Sequence, residues 1–491
     1  IKAEQGKYPV IYLSLKDAKG NNWEDCLNEI KQEITNSFKM HTHLLNNTDL
    51  PDYEKTKYKK ILNETANNSD YKNSLYFLSN LLYRVYNKRV VILLDEYDAP
   101  IQSAYGKYYD DAISFVRGLM SGAYKDNSYL YKGVITGILR VSRESIFSGL
   151  NNAGVFSILQ NKFSASFGFT EEEVKQLINY FKLDISFESV KAWYDGYKFG
   201  RTEGIYNPWS ILKLATNWED DKKFRSYWVN TSSNDLIKTE IRDKQNAYIR
   251  EDIFKLIDDK TIEKDIEENF VFSDLLTRKT LVWTLFVYSG YLTIVDNISR
   301  KKYSLRIPNE ELKTIFQDTI QEWFEADINV RRELEDAIDG LLKNNLRRFE
   351  RNLKDIVAGV FSYYDTAKNN EYIYHAYLLG LFAFIGHDYI IKSNRESGEG
   401  RYDVMLIPRN KERHKTGVVI EIKQLKKQGK KESDESFKER INNEIKNAKN
   451  QINRNKYYQD LLDFGLNDEN IVKVPIVFAG KEPYVNELTD N

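Results

Sequence analysis

The chain has 491 residues, of which 41% are hydrophobic and 30% charged, and its formal net charge is −1. This length predicts about two to four domains, and the charge excludes a global electrostatic attraction to nucleic acid. The single cysteine, Cys26, excludes an internal disulfide and a cysteine-ligated metal centre, and with no apolar run of about 18 residues and no recognisable signal peptide we expect a cytoplasmic protein.

The first predicted element is an apolar strand over residues 8–15, followed by helical segments to about residue 86. A second apolar strand, 90–94, ends in Asp95 and Glu96, and a third is predicted over 133–139. Ligands bind at the carboxyl ends of strands in open α/β sheets. The two acids are therefore typical of a Walker B element, in which Asp95 would hold nucleotide-bound Mg²⁺ and Glu96 would polarise the attacking water. The alternative is a strand that merely ends in polar turn residues.

The third predicted strand carries polar groups at the position of a γ-phosphate sensor. Thr136 is the first of these, while Arg140 and Arg143 are equally compatible with surface charges. The sequence contains no G-x-x-x-x-G-K-[ST] phosphate loop, because each Gly-Lys pair is followed by Tyr, Lys or Glu. We expect either that the loop lies upstream of this sequence or that the fold does not hydrolyse ATP.

The middle of the chain is predicted to be mainly helical. Thr170 and Glu173 form a capping box, and Pro208 marks a helix start. Residues 278–288 predict a helix that is followed by two short strands, a winged-helix-like unit. A polar helical linker is expected over residues 309–356.

The last part of the chain contains the densest group of candidate site residues. Residues 371–385 predict a buried helix with Glu371 and His375 on one face. A β-hairpin follows, with strands at 402–408 and 417–423, and it places Asp403 near Glu421 and Lys423. Two carboxylates and an ammonium group suit a Mg²⁺ site for phosphodiester hydrolysis. The alternative is a half-exposed strand whose Glu and Lys face solvent.

A basic helix and a final apolar strand complete the predicted C-terminal elements. The helix, 441–462, directs Ile441, Ile445, Ala448 and Ile452 inward and carries Gln451, and the strand spans 472–478. Residues 409–459 contain 15 Lys and Arg against 7 Asp and Glu, an excess of 8 positive charges. This excess favours a polyanionic substrate, although a solvated loop and helix face would also account for it.

This order of elements resembles the PD-(D/E)XK nuclease superfamily, and nearly the whole chain resembles bacterial proteins that join an AAA-ATPase-like domain to such a nuclease-like domain. The motifs that carry the resemblance are LLDEYDAP, TGILRVSRESIFSGLNN, WYDGYKFG, YNPWS, YWVNTSSNDLI, YSGYLT, YHAYLLGL, GRYDVMLIP and IEIK. The resemblance implies metal binding by Asp403, Glu421 and Glu371, catalysis by Lys423, and a supporting role for Gln451. Tyr402 replaces the proline of the superfamily's namesake motif, a position that contributes no ligand.

The resemblance also implies a domain order and a nucleotide site. It predicts a multidomain α/β protein with a truncated P-loop-NTPase-like parallel sheet (1–168), a helical and winged-helix-like region (169–308), a helical linker (309–356) and a restriction-endonuclease-like α/β domain (357–491). Asp95 and Glu96 match the Walker B position, and Thr136 would contact bound ATP, in a site that needs upstream residues.

The function expected from these features is Mg²⁺-dependent cleavage of nucleic acid, with DNA bound by the basic 409–459 region, under an ATPase-like regulatory domain. Genome defence and mobile-element maintenance are both compatible with the resemblance. An alternative from a different class is a nucleotide-gated switch or binding protein whose nuclease-like domain is inactive. Two separate acidic groups at strand ends disfavour a purely structural scaffold.

Overall fold

A computed structural model describes residues 4–48, 50–138, 153–228, 247–268, 278–325, 328–361, 371–386, 388–393, 396–397 and 400–488. The chain divides into two compact units. Unit 1 comprises Ile1–Phe163, Lys264–Gly290 and Ile298–Tyr303, and unit 2 comprises Ser164–Glu263, Tyr291–Asn297 and Ser304–Asn491. Within the described part of the chain, no helix combines the length and the apolar character that crossing a membrane would require.

The N-terminal part is a parallel sheet with helices. In chain order its elements are β1 (Val10–Ser14), α1 (Trp23–Lys39), a 3₁₀ helix (Thr42–Asn46), α2 (Asp52–Leu62), α3 (Asn68–Lys72), α4 (Ser74–Tyr86), β2 (Val90–Asp95), α5 (Ala99–Ser103), α6 (Tyr109–Tyr124) and β3 (Leu130–Ile135). The strand order is β1-β2-β3, with β2 parallel to both neighbours.

The third strand differs from its prediction at both ends. It starts at Leu130, ahead of the predicted start at residue 133. The apolar pattern misses this beginning because an edge strand tolerates exposed side chains such as Tyr131. It ends at Ile135 rather than at residue 139, which lies outside the described residues. Its partner β2 ends at Asp95, where the next residue, Glu96, adopts a left-handed φ of +50°.

The middle of the chain continues with short strands and helices. They are β4 (Phe169–Thr170), α7 (Glu171–Tyr180), α8 (Phe187–Tyr194), β5 (Tyr197–Phe199), β6 (Thr202–Tyr206), α9 (Pro208–Asp221), α10 (Ala247–Ile257), β7 (Ile262–Asp265), a 3₁₀ helix (Lys279–Leu281), α11 (Val282–Tyr288), β8 (Thr293–Asn297), β9 (Lys302–Arg306), α12 (Glu310–Glu325), α13 (Ile328–Leu342) and α14 (Leu346–Phe361).

Two helix starts and one helical segment in this region follow the sequence prediction. The Thr170 hydroxyl accepts a hydrogen bond from the Glu173 N–H while the Glu173 carboxylate accepts from Thr170, which forms the capping box. Asn207 caps α9 ahead of Pro208. Within the predicted helical segment 309–356 the structure describes α12, α13 and α14, and these helices bury apolar side chains such as Leu312 and Leu353.

The C-terminal part is built on a mixed five-stranded sheet. Its elements are α15 (Glu371–Ala383), β10 (Tyr389–Ser393), β11 (Glu396–Ser397), β12 (Gly400–Arg401), β13 (Val404–Pro408), β14 (Gly417–Leu425), α16 (Asp434–Arg454), α17 (Gln459–Asp463), a 3₁₀ helix (Asp468–Asn470), β15 (Ile471–Ala479) and β16 (Glu482–Tyr484). The order is β10-β13-β14-β15-β16, and β14 and β15 are its parallel pair.

Two predictions for this region need correction. The strand predicted at 472–478 is not the last element of the sheet, because a further strand, β16, follows it and pairs with its outer edge. The helix predicted over 441–462 is α16, which starts at Asp434, where the Ser433 hydroxyl caps it, and ends before Lys456, whose φ of +50° breaks the helical backbone. The four residues predicted to face inward, Ile441, Ile445, Ala448 and Ile452, are buried.

The sheet is covered on both faces. Val419 of β14 packs with Ile452 of α16 on one face, and α15 contacts β10 and β14. Helix α15 also contacts α10 and α12, so it is buried between the sheet and the helices that precede it in the chain. This position accounts for the almost wholly apolar composition of α15.

Candidate functional site

Asp403 lies immediately before β13 and is hydrogen-bonded to the backbone of the neighbouring strand β14. Val404 pairs with Ile420 in antiparallel register, so Asp403 is in line with Glu421. The Asp403 Oδ2 atom accepts a hydrogen bond from the Ile422 N–H at 2.6 Å. The backbone of β14 therefore fixes the orientation of the Asp403 carboxylate.

Glu421 and Lys423 form an ion pair on the same face of β14. The Lys423 Nζ lies 2.6 Å from the Glu421 Oε1, and Glu421 is only 3% exposed. The alternative of a half-exposed strand with a solvent-facing glutamate is wrong, because β14 is buried from Gly417 to Ile422. A carboxylate this deeply buried needs a charged partner or a cation.

The protonation of Asp403 reflects its surroundings. Burial raises the pKa of the Asp403 carboxyl, and this effect outweighs the Ile422 N–H hydrogen bond and the positive charges of His375 and Lys423, which lower it. A divalent cation beside the carboxyl would favour the ionised form.

The donor set fits a hard divalent cation. Asp403 and Glu421 supply carboxylate oxygens, the ligands that Mg²⁺ prefers. Within the described residues no group of three His, Cys, Asp or Glu side chains could hold a metal ion. Glu371, the predicted third ligand, is the first residue of α15, and its side chain lies outside the described residues. Its role stays a prediction.

Gln451 belongs to a small amide and phenol network. Its Nε2 donates to the Tyr457 hydroxyl at 3.0 Å, and the Asn455 Nδ2 donates to the same hydroxyl at 3.0 Å. Gln451 precedes Ile452, which packs with Val419 on the Glu421 face of β14. The structure thus places Gln451 on the helix that covers this face, and its supporting role at the site stays a prediction.

Two residues to which no ligand or catalytic role was predicted contact the site. The His375 Nε2 donates to the main-chain carbonyl of Asp403 at 2.8 Å, and the His375 Nδ1 is hydrogen-bonded to the Asp258 carboxylate. His375 could have been suspected, because a polar residue on an apolar helix needs a partner. No sequence pattern indicates Asp258, which is 117 residues away along the chain.

The predicted nucleotide residues come together at the carboxyl end of β2. The Thr136 hydroxyl donates to the Asp95 carboxylate, and the Glu96 N–H donates to the Thr136 Oγ1 at 3.4 Å. Burial, and then the Asp95 charge, raise the pKa of Glu96 against the lowering effect of Lys16 and Lys19. Arg140 and Arg143 lie outside the described residues.

Part of the basic 409–459 region is an exposed loop that directly follows the strand carrying Glu421 and Lys423. The loop that follows β14 presents the exposed side chains of Lys426, Lys427, Lys430 and Lys431. Arg440 is instead paired with Glu432 at 2.9 Å. The loop lysines therefore form the part of the positive region nearest along the chain to Lys423.

Comparisons with known proteins give two family matches. The model described as predicted AAA-ATPase matches residues 1–147, and the model described as the PD-(D/E)XK nuclease superfamily matches residues 369–487. These ranges contain Asp95 and Thr136 in the first case and Asp403, Glu421 and Lys423 in the second.

A curated relative is similar to a larger part of the chain. It is the "Uncharacterized protein in vnfD 5'region" of Azotobacter chroococcum mcd 1, which is 25% identical over 334 residues. The match covers 65% of this chain and 60% of the relative, so the chain spans less than two thirds of that protein's length. No solved structure matches the chain. The family matches show that the chain joins an AAA-ATPase-like domain to a C-terminal domain that belongs to the PD-(D/E)XK nuclease superfamily.

Proposed function

We propose that the C-terminal domain is a Mg²⁺-dependent phosphodiesterase that cleaves DNA. The observation that carries this proposal is the buried Glu421 carboxylate, held at 2.6 Å by Lys423 on the strand that also orients Asp403. A purely structural strand gains little from a buried ion pair, whereas a metal-dependent site needs both groups.

Each residue has a distinct role in the proposed reaction. Asp403 and Glu421 would hold Mg²⁺ through their carboxylate oxygens. When bound, the metal would lower the pKa of a water molecule and polarise the scissile phosphate. Lys423 would orient the attacking water or donate to the phosphate oxygen on which negative charge develops. Burial of Glu421 keeps the charged groups in a low-dielectric environment, where their interactions are stronger.

The exposed loop lysines support a polyanionic substrate. Lys426, Lys427, Lys430 and Lys431 follow directly after the strand that carries Lys423, so they would bind backbone phosphates close to the scissile bond. A cytoplasmic location is part of the proposal, because a single buried thiol at Cys26 is typical of a reducing compartment. We place the activity in genome defence or mobile-element maintenance.

The proposal is tested with the full chain on DNA and RNA substrates in the presence of Mg²⁺ or Mn²⁺. We expect cleavage of DNA that requires the metal and is lost in Asp403→Asn, which keeps the side-chain size but removes the charge. Calorimetry should show Mg²⁺ binding by the parent and not by the variant. Absence of cleavage of either nucleic acid, together with metal binding that is unchanged in Asp403→Asn, would contradict the proposal.

The hydrogen bond between Thr136 and Asp95 favours a second candidate function, a nucleotide-gated switch with an inactive nuclease-like domain. In this function ATP binds beside Asp95 and changes how the chain binds its target, without phosphodiester cleavage. ATP should then raise the melting temperature of the parent but not that of Asp95→Ala. Equal melting temperatures with and without ATP, measured on a protein that carries a phosphate loop ahead of β1, would argue against it.

A further inference from the structure

We propose that His375 is a positioning residue of the metal site and that Asp258, which lies outside the superfamily match at residues 369–487, holds it in place. This inference rests on the proposed function, because the ligand that His375 positions is Asp403. It assigns to the segment after α10 a part in building the nuclease-like site.

The hydrogen-bond partners define the state of the imidazole ring. The Nδ1 atom faces the Asp258 carboxylate and the Nε2 atom faces the Asp403 carbonyl, and a carboxylate and a carbonyl are acceptors. Both ring nitrogens therefore donate, which fixes the ring against rotation. His375 is 4% exposed and Asp258 is 6% exposed, so water competes little for either contact.

Asp403 is consequently held at two points. The His375 Nε2–H binds its main-chain carbonyl at 2.8 Å, and the Ile422 N–H binds its carboxylate at 2.6 Å. Two anchors on one residue restrict both its backbone and its side chain. A metal ligand restricted in this way loses less conformational freedom on binding the ion, and removal of such supporting contacts typically costs about 10-fold to 100-fold in metal affinity.

Asp258 and the residue that follows it are themselves held by ion pairs. Lys260 lies 2.6 Å from the second carboxylate oxygen of Asp258, and the adjacent Asp259 pairs with Lys313 of α12 at 2.7 Å. The segment 258–260 is thus attached to α12 as well as to α15. A displacement of this segment would be transmitted to the Asp403 backbone through a single rigid ring.

The test uses two amide substitutions in the full chain that differ in the ring nitrogen they replace. The amide nitrogen of His375→Gln corresponds to Nε2 and can still donate to Asp403, whereas that of His375→Asn corresponds to Nδ1 and can donate only toward Asp258. Binding of Mn²⁺ alone is measured by electron paramagnetic resonance of the free ion. We expect about 10-fold weaker binding by His375→Asn, and a smaller loss for His375→Gln, which keeps the donor to Asp403 but not the donor to Asp258.

A merely structural role would affect both amide variants equally, and that result would overturn the proposal. Glu311→Gln serves as a control, because Glu311 is a buried and hydrogen-bonded carboxylate in unit 2, so its variant should melt earlier without weaker Mn²⁺ binding. If His375→Asn does not fold, Asp258→Ala replaces it, and we expect a loss of the size expected for His375→Gln, because the donor to Asp403 is kept while the contact that holds the ring is removed. Parent-like affinity in Asp258→Ala would overturn the positioning role alone, whereas a parent chain that binds no Mn²⁺ would overturn the proposed function and this inference together.

Discussion

Lys423 and Lys473 lie on neighbouring parallel strands, and each side chain is 24% exposed and forms an ion pair, with Glu421 and Asp468 respectively. They differ in that the charge of Lys423 also acts on Asp403. We expect Lys423→Ala to slow DNA cleavage by about 10²-fold to 10³-fold, because the proposed role of Lys423 is to donate toward developing negative charge. Lys473→Ala should cleave at the parent rate. Initial rates of DNA cleavage with Mg²⁺ are measured for both variants, and equal rates would rule out a catalytic role for Lys423.

The loop after β14 should determine the salt dependence of DNA binding. Replacing Lys426, Lys427, Lys430 and Lys431 by Gln removes four exposed positive charges. The slope of log K against log salt concentration should become shallower by about 0.9 for each lost phosphate contact. Fluorescence anisotropy with labelled DNA and Ca²⁺ in place of Mg²⁺ measures the slope. Gln substitution of the exposed lysines Lys59 and Lys60, in unit 1, is the control, and an unchanged slope in the loop variant would exclude this loop from the interface.

The thiol of Cys26 should make folding stability depend on alkaline pH. Burial raises the pKa of Cys26 from 9.0 to about 11. A group whose pKa is raised on folding contributes stability that is complete below its unfolded pKa and is lost as the pH rises through the folded pKa. Between pH 9 and pH 11 the parent should therefore lose more free energy of unfolding than Cys26→Ala does. Urea unfolding at a series of pH values measures both chains, and parallel curves would refute the prediction.

Glu311 should be essential for the stability of unit 2. Its carboxylate is 1% exposed and accepts hydrogen bonds from the Ser210 hydroxyl and from the N–H groups of Tyr227 and Trp228. Glu311→Ala leaves these donors buried without their acceptor, so we expect it to lower the free energy of unfolding by about 2 to 4 kcal/mol. Glu219→Ala, at an exposed position of α9, should change it by less than about 0.5 kcal/mol. Similar melting curves for the two variants would show that the Glu311 contacts do not stabilise the fold.

Replacing Gly196 or Gly204 by Ala adds the same methyl group in two different steric environments. Both have a left-handed backbone, with φ of +112° and +71°, but a Cβ at Gly196 would lie 2.0 Å from the Pro308 carbonyl oxygen. At Gly204 the nearest such contact is 3.8 Å, to Asp195. We expect Gly204→Ala to cost about 1 to 2 kcal/mol of backbone strain and Gly196→Ala to cost more, because the 308 segment must also move. Urea unfolding midpoints compare the two, and a larger effect at Gly204 would contradict this packing.

The sequence pattern predicted the parts of the fold in which apolar periodicity and burial coincide. The inward face of α16 and the hairpin of β13 and β14 are of this kind, since each buries one regular set of apolar side chains. The edge strands β10 and β16 were not predicted, because an edge needs fewer buried residues. The Asp258 contact to His375 depends on how helices pack across 117 residues of sequence, which no local pattern encodes.

Because β14 lies between β13 and β15, the geometry of the candidate site depends on the register in which these strands pair. Successive residues alternate between the two faces of the sheet, so a slip by one residue would exchange Glu421 with Ile422 and would direct the carboxylate toward the face of α15. The same slip would remove the Ile422 N–H from Asp403. The site cannot therefore assemble before the central strands align or survive their separation, and proteolytic or thermal loss of metal binding should coincide with loss of the sheet itself.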